Sequence, residues 1–401
     1  MFKRIMLVAG ESSGDLHGGK LAAALLKKDP TLKLFGFGGT QMKAAGVELL
    51  FDPTQVAVIG LVEVLKHWST FKRMFDQAVS ALDTHKPDLV ILIDYPGFNM
   101  RLAEAVKKRK IKLVYFITPQ IWAWDPGRVH QIKRLFDRVL VLFPFEKALF
   151  EKHGVPVTFI GHPFLDSVKP TEERMETLEQ LGLADGMPVI GLLPGSRIGE
   201  IERLLPEMLG ACEKLQQALP ASARFLLIKS PSLPWEPYKT ILKNSPVQPK
   251  IIERWDYNGI HACDFVLIAS GSATLECALL NRPMVIIYKT AWLTYLVSRL
   301  AIRIPMIGLV NVVAAAAKNN NVIPLKNNLP DDSQLTVPEL IQHEANAERI
   351  AETALELWKS AQTQDRMKQT FKQVRSSLGQ PGAIERAAQA IFSELSSPRS
   401  S

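Results

Sequence analysis

Hydrophobic residues along this chain fall into short, nearly continuous runs separated by stretches with helical spacing. RIMLVA (4–9), LKLFGFGG (32–39), LVILIDY (89–95), LVYFIT (113–118) and RVLVLF (138–143) show little polar alternation. Strands read this way when both faces of a parallel sheet are covered. After the Pro-bearing stretch IGHPFLDSVKPTEER the same grammar restarts with VIGLLPGS (189–196), RFLLIKS (224–230), KIIE (250–253), FVLIASG (265–271) and MVIIYK (284–289). The pattern predicts an α/β chain of two doubly wound domains, hinged near residues 162–187. From about residue 345 no strand-like run remains, and Ile350, Ala354 and Leu357 recur at helical spacing. The tail is expected as helices that pack back on a domain already built.

Composition agrees with two ordinary domains, since 401 residues with 47% hydrophobic content exceed one core. The three cysteines, Cys212, Cys263 and Cys277, lack C-x-x-C spacing; they form neither a disulfide framework nor a zinc site, and a reducing cytoplasm fits them. The basic start MFKRIMLVA is too short in its apolar part for an export signal and reads as a first strand. A formal net charge of +8 favours an acidic partner. Lys and Arg are spread along the chain without RNA-stacking aromatics, zinc-finger spacing or a basic-region helix, which excludes nucleic acid and leaves an anionic membrane surface or phosphorylated substrates.

Chemistry in an open α/β sheet is sought in the loops at the carboxyl ends of the strands. The first such loop, VAGESSGDLHG (8–18), fails the G-x-G-x-x-G fingerprint and carries Glu11 and Asp15, which would repel a diphosphate. Two readings account for it: a tight turn with Asp15 near the start of its helix, or a loop that holds hydroxyls and handles protons. LLPGSRIGEIE (192–202) places Gly195, Ser196 and Arg197 where a strand gives way to a helix. Backbone N–H groups, a hydroxyl and a guanidinium there are the parts of a diphosphate site, the plainer reading being a turn with a surface Arg. IASGSATLE (268–276) repeats the arrangement with Gly271, Ser272, Thr274 and, one turn into the helix, Glu276. A carboxylate in that place can accept two hydrogen bonds from a ribose diol, although a helix-face Glu is most often solvated. Asp94 ends the run LVILID before Pro96 and Gly97 turn the chain ahead of Asn99. It is either a general base or a carboxylate bonded to its own turn.

The motifs G-E-S-S-G-D, A-V-I-G-L-V-E-V-L (57–65), I-D-Y-P-G-F-N, P-x-I-W-A-W (119–124), F-P-F-E-K (143–147), I-G-H-P (160–163), L-P-G-S-R-x-x-E and A-S-G-S-A-T-L-E occur in order over most of the chain. Together they resemble the lipid-A-disaccharide synthase family. The resemblance implies two Rossmann-like domains facing a cleft, the B-type glycosyltransferase fold: an acceptor-binding domain over 1–165, a UDP-sugar-binding domain over 166–344 and helices over 345–401 that return to the N-terminal domain. It implies an inverting transfer from UDP-2,3-diacylglucosamine to 2,3-diacylglucosamine 1-phosphate, giving lipid A disaccharide 1-phosphate and UDP. Asp94 would act on the acceptor's 6-hydroxyl, with Glu11 and Asp15 arranging that site. Arg197 and the amides of Gly271 and Ser272 would carry the charge growing on UDP. Gly195, Ser196, Ser270, Thr274, Glu276 and Asn311 complete the UDP-sugar set. No Asp-x-Asp pair ends a strand, and Asp331-Asp332 lies in a Pro/Asn-rich loop, so neither a metal nor another cofactor is expected. Where the family has a Pro-Asn-Leu-Leu-Ala-Gly segment, this chain departs from it and reads LVNVVAAAAKNNNVIPLKNN, a stretch around Asn311 that is equally readable as a longer surface loop.

Diacylated substrates also bring in the membrane. In VIGLVEVLKHWSTFKRMF (58–75), Leu61, Leu65, Trp68 and Phe71 recur at helical spacing beside Lys66, Lys72 and Arg73. That is the make-up of an interfacial docking helix, and equally of a core helix. AWLTYLVSRLAIRIPMIGLVNVV (291–313) is interrupted by Arg299, Arg303 and Pro305 and reads as surface-lying or domain-packed rather than membrane-spanning. The expected location is cytoplasmic, peripheral on the cytoplasmic face of the inner membrane, with a homodimer left open. Two rivals make different demands. A soluble nucleotide-sugar enzyme such as a UDP-N-acetylglucosamine epimerase needs no membrane, and a non-catalytic nucleotide-sugar-binding protein at the membrane needs no Asp94.

Overall fold

The computed structural model describes residues 3–53, 68–183, 186–220, 222–253, 256–292, 294–296, 302–325 and 335–397, with backbone only at 68–70. The chain divides into two compact units, Met1–Pro163 with Gly379–Ser401, and Phe164–Leu378. Each is built on one parallel sheet.

The first unit contains β1 (Arg4–Ala9), β2 (Lys33–Phe37), β3 (Glu48–Phe51), β4 (Leu89–Ile93), β5 (Lys112–Phe116), β6 (Arg138–Val141) and β7 (Val157–Phe159), in the order β3-β2-β1-β4-β5-β6-β7. The second contains β8 (Val189–Leu193), β9 (Arg224–Ile228), β10 (Lys250–Ile252), β11 (Phe265–Ala269), β12 (Met284–Tyr288) and β13 (Glu339–Ile341), in the order β10-β9-β8-β11-β12-β13. In both, strand order reverses beside the first strand of the unit, between β1 and β4 and between β8 and β11. Ala9 pairs with Ile93 there, and Leu193 with Ile268. A doubly wound sheet opens a crevice at that reversal, because the flanking connections leave to opposite faces.

The central strands are apolar throughout because helices cover both sides. Val90 and Leu92 join Phe98, Leu102, Val106 and Ile132 in one buried cluster. Ile93, out of phase with them, turns to the opposite face and meets the helix Ser12–Lys28 at Gly18. Each such side chain contributes roughly 1.5–3 kcal/mol on full burial. The strands that the hydrophobic runs did not announce, β3, β7 and β13, are three or four residues long and lie at sheet edges, where one short, half-buried run leaves no period to read.

The terminal helices correct an expectation. Ala347–Lys359 packs on Ile198–Ala218, and Ala361–Ser377 packs on Leu309–Lys318 and Ala273–Leu279, so both stay with the second unit. Only Ala383–Ser396 returns to the first, against Ser12–Lys28 and β5. It is held at both ends. Lys112, only 7% exposed, donates to the carbonyls of Glu394 and Ser397 at the helix C-terminus. Arg138 pairs with Glu394 at 2.8 Å, and Arg386 donates to the Ile160 carbonyl at 2.7 Å. Cations suit the carbonyl-rich end of a helix.

Because Ile391 is fully buried on the inner face of this helix, Ile391→Ala should destabilise the first unit by about 2–5 kcal/mol through the cavity it leaves. The expected reading is a lower thermal transition with ligand binding by the second unit retained.

Candidate active site

In the second unit, the two loops flanking the strand-order reversal meet. After β8 the chain runs through Pro194 into Gly195, which adopts φ +118°. A Cβ there would lie 2.3 Å from Glu200 Oε2, so only glycine lets Glu200 fold back over the loop. Glu200 does so by accepting from the Ser196 N–H at 2.9 Å and pairing with Arg197 at 3.4 Å. The Arg197 side chain remains 81% exposed, leaving its guanidinium accessible. After β11, Ser270 donates its hydroxyl to the Ile307 carbonyl at 2.9 Å, and Ser272 precedes the helix Ala273–Leu279. Gly195, Ser196, Arg197, Ser270, Gly271, Ser272 and Glu276 line a single pocket of about 240 Å³.

Glu276 forms the deep polar wall of that pocket, only 5% exposed. Burial pushes its carboxyl up to about 7, against the pull of the Tyr257 hydroxyl, which donates to Oε1 at 3.0 Å. A carboxyl kept dry and largely unpaired has acceptor capacity for a ligand's hydroxyls.

In the first unit the corresponding strand ends bring together Glu11, after β1, and Asp94, after β4. Gly10 makes this approach possible: a Cβ there would lie 2.1 Å from Cδ1 of Tyr95. Burial, and secondarily the charge of Glu11, push the Asp94 carboxyl up to about 6, with the Tyr95 backbone N–H acting in the opposite direction. Glu11 is exposed and makes no side-chain bond to the helix it precedes. Elsewhere in the unit burial holds His17 down to about 4 and His162 to about 3; both imidazoles are neutral at pH 7. Among the described residues no three His, Cys, Asp or Glu side chains are grouped to hold a metal ion.

The family described as Lipid-A-disaccharide synthetase matches residues 5–392. A lipid-A-disaccharide synthase of Geobacter metallireducens is 42% identical over 397 residues, covering 99% of this chain and 98% of that protein. The chain belongs to the lipid-A-disaccharide synthase family. Its relatives of that name are glycosyltransferases. Among solved structures, the S. aureus MnaA–UDP co-structure aligns with a TM-score of 0.62 at 14% identity, covering 100% of this chain and 99% of that one. The calicheamicin glycosyltransferase CalG4 aligns with a TM-score of 0.58 at 14% identity, covering 99% and 100%. These likenesses show the fold, two Rossmann-like domains.

Four expected site residues are placed differently from the sequence reading. Asp15 is buried and accepts from the backbone N–H groups of Gly39, Gln41 and Met42 at 2.7, 3.0 and 3.0 Å. It caps the helix Thr40–Ala44 from a neighbouring helix, and its carboxylate is spent on that. Thr274 is fully buried and lies behind the pocket, donating to the Gly271 carbonyl at 2.8 Å and accepting from Val310 N–H at 3.4 Å. Asn311 is buried in the helix Leu309–Lys318, where its amide bridges Val337 and Glu339 at 2.8–3.0 Å. It fastens β13 to the unit, and the Ala run that follows it is the rest of that helix. Phe71 is half-buried, edge-on to Phe98 at 5.3 Å, so its ring is used by the core instead of standing on a free docking face. Leu61 and Leu65 lie outside the described residues, as does the Trp68 side chain. Trp292, within the other apolar segment, is 67% exposed.

Ser230 and Glu200 line the pocket without having been singled out. The signals were present: Ser230 closes the run RFLLIKS, and Glu200 is the last residue of L-P-G-S-R-x-x-E.

Asp15→Ala should cost about 2 kcal/mol or more of stability through the three N–H groups it orphans, while turnover per folded molecule stays within a few fold of the parent. A hundredfold loss of turnover at an unchanged melting temperature would return Asp15 to the catalytic set.

Proposed function

We propose that this chain transfers a diacylglucosaminyl group from UDP-2,3-diacylglucosamine to the 6-hydroxyl of 2,3-diacylglucosamine 1-phosphate, with inversion at the donor's anomeric carbon. The observation that carries this reading is the convergence of the Pro194–Arg197 loop and the Ser270–Ala273 loop on one pocket closed by Glu276. Small residues, backbone N–H groups and an exposed guanidinium suit a diphosphate, and a buried carboxyl suits a ribose diol. Family membership supports the choice of sugar and acceptor.

The bond changes are those of a single displacement. The acceptor's 6-oxygen forms the new bond to the anomeric carbon while the bond from that carbon to the diphosphate oxygen breaks. The acceptor's proton passes to Asp94, and the charge developing on UDP is met by Arg197 and the Gly271 and Ser272 amides. Glu11, by its charge, raises the proton affinity of Asp94. Substrates with acyl chains reside in lipid. A net charge of +8 and the apolar segments around Leu61, Leu65 and Trp68 and at Trp292 support peripheral attachment to an anionic cytoplasmic membrane face.

Incubation with both diacylated substrates should yield a disaccharide and one UDP per disaccharide. Asp94→Asn should lower turnover on the order of a hundredfold or more with UDP affinity unchanged. A base must be ionised to work, so parental turnover should fall as pH drops through about 6. Activity within a few fold of the parent in the Asn variant would remove Asp94 from this role.

Glu276 predicts a pH effect of its own on binding. Its ionised form accepts hydroxyl hydrogen bonds more strongly than the protonated acid, so UDP affinity should rise with pH through about 7. Calorimetry on Glu276→Gln, in which UDP's own phosphate still titrates, should show that component of the pH dependence lost. An identical pH profile in the two proteins would take Glu276 out of the ribose contact.

A further inference from the structure

Two consecutive residues at the end of β4, Asp94 and Tyr95, lie in the left-handed region, with φ of 46° and 48°. Side chains other than glycine adopt that conformation at a cost, and it persists only where the surroundings over-determine it. Here the surroundings converge on one atom. Asn99 Nδ2 donates to the Asp94 carbonyl at 2.7 Å and to the Ile93 carbonyl at 3.1 Å, while the Tyr115 hydroxyl donates to the same Asp94 carbonyl at 3.0 Å. Both acceptor positions of that oxygen are thus taken. The Asp94 N–H donates to Phe116 at 3.2 Å, and the Asn99 N–H to Tyr95 at 3.0 Å.

Asn99 and Tyr115 are fully buried and out of reach of a substrate. The Asn99 amide is oriented by these contacts alone: its Oδ1 is buried with no hydrogen-bond partner, and turning the amide over would set oxygen against two carbonyl oxygens. Retaining a half-satisfied amide in a core is unfavourable unless its donor nitrogen is needed. What that nitrogen does is bridge two successive carbonyls at the bend, which Asp cannot do for lack of donors and Leu cannot do at all.

We propose that Asn99 and Tyr115 are positioning residues which hold the Asp94 backbone in its left-handed conformation, so that the direction of the Asp94 side chain toward the acceptor hydroxyl is set by these two hydrogen-bond donors. The inference rests on Asp94 being the base. A change of φ and ψ at Asp94 swings its Cα–Cβ bond, and small misplacements of a catalytic group are costly in rate.

The test combines Tyr115→Phe, which removes one donor and keeps the ring stacked on Phe136 at 4.8 Å, with Asn99→Leu, which removes the other. Each is made in the parent and in Asp94→Asn. In the parent, kcat should fall about tenfold for Tyr115→Phe and about a hundredfold for Asn99→Leu, with the KM for the UDP-sugar and UDP affinity unchanged. In the Asp94→Asn background Tyr115→Phe should change the residual rate by less than about twofold, because its effect passes through Asp94. If Asn99→Leu does not fold, Tyr115→Phe decides by itself. Folded variants with parental kcat, or an equal loss in both backgrounds, would overturn the positioning role while leaving Asp94 as the base. Parental turnover in Asp94→Asn would overturn both.

Discussion

A parallel sheet covered by helices on both faces has one place left for polar chemistry, the carboxyl ends of its strands, and the widest opening there is where strand order reverses. Both units of this protein obey that constraint. The Gly195–Arg197 and Ser270–Ser272 loops leave β8 and β11, and the Glu11 and Asp94 loops leave β1 and β4. The core supplies the stability, and the loops are free to adopt conformations that would be unfavourable elsewhere. Gly195 with φ +118° under Glu200, and Gly10 beneath the Tyr95 ring, are where that freedom is used.

The same burial that stabilises the sheets sets the electrostatics. Asp94 and Glu276 each sit at a strand or helix end where water is scarce, and both carboxyls rise toward neutrality, to about 6 and about 7. Neither has a cation that would lower it among the causes of its shift. The stabilising energy of the units is therefore lower than it would be with paired carboxylates, and the difference is available to a partner that donates hydrogen bonds. Asp15 differs in its partners, because three backbone N–H groups at 2.7–3.0 Å already occupy its two oxygens.

Asp15, Thr274 and Asn311 share a reason for having been read as site residues. Each is polar and lies in a loop or near a helix start, and Asp15 and Thr274 stand within a few residues of Glu11 and of the pocket-lining Ser272 and Glu276. Their side chains point back into the unit, where they fasten Thr40–Ala44, the Gly271 turn and β13 respectively. A site held on short loops needs such fasteners within a few residues of its working groups, so both kinds occur in the same motifs.

Hydrophobic runs determined the fold class, the nine interior strands with the short edge strand β10, and the loops worth inspecting, because full burial of a parallel strand demands an uninterrupted apolar stretch, which is a local property. Turn residues and a cation after β8, and the carboxylate one turn into the helix after β11, located most of the pocket for the same local reason. What the tertiary structure decided was which partner each polar atom finds. Asp15 meets Gly39 from 24 residues away, Tyr115 reaches Asp94 across 21, and Asn311 meets Val337 across 26. Lys112 closes the last helix across 282 residues. A chain written one residue at a time carries burial and turning in its neighbours, but hydrogen-bond partners so far apart are chosen only when the sheet has formed and brought the strands that carry them side by side.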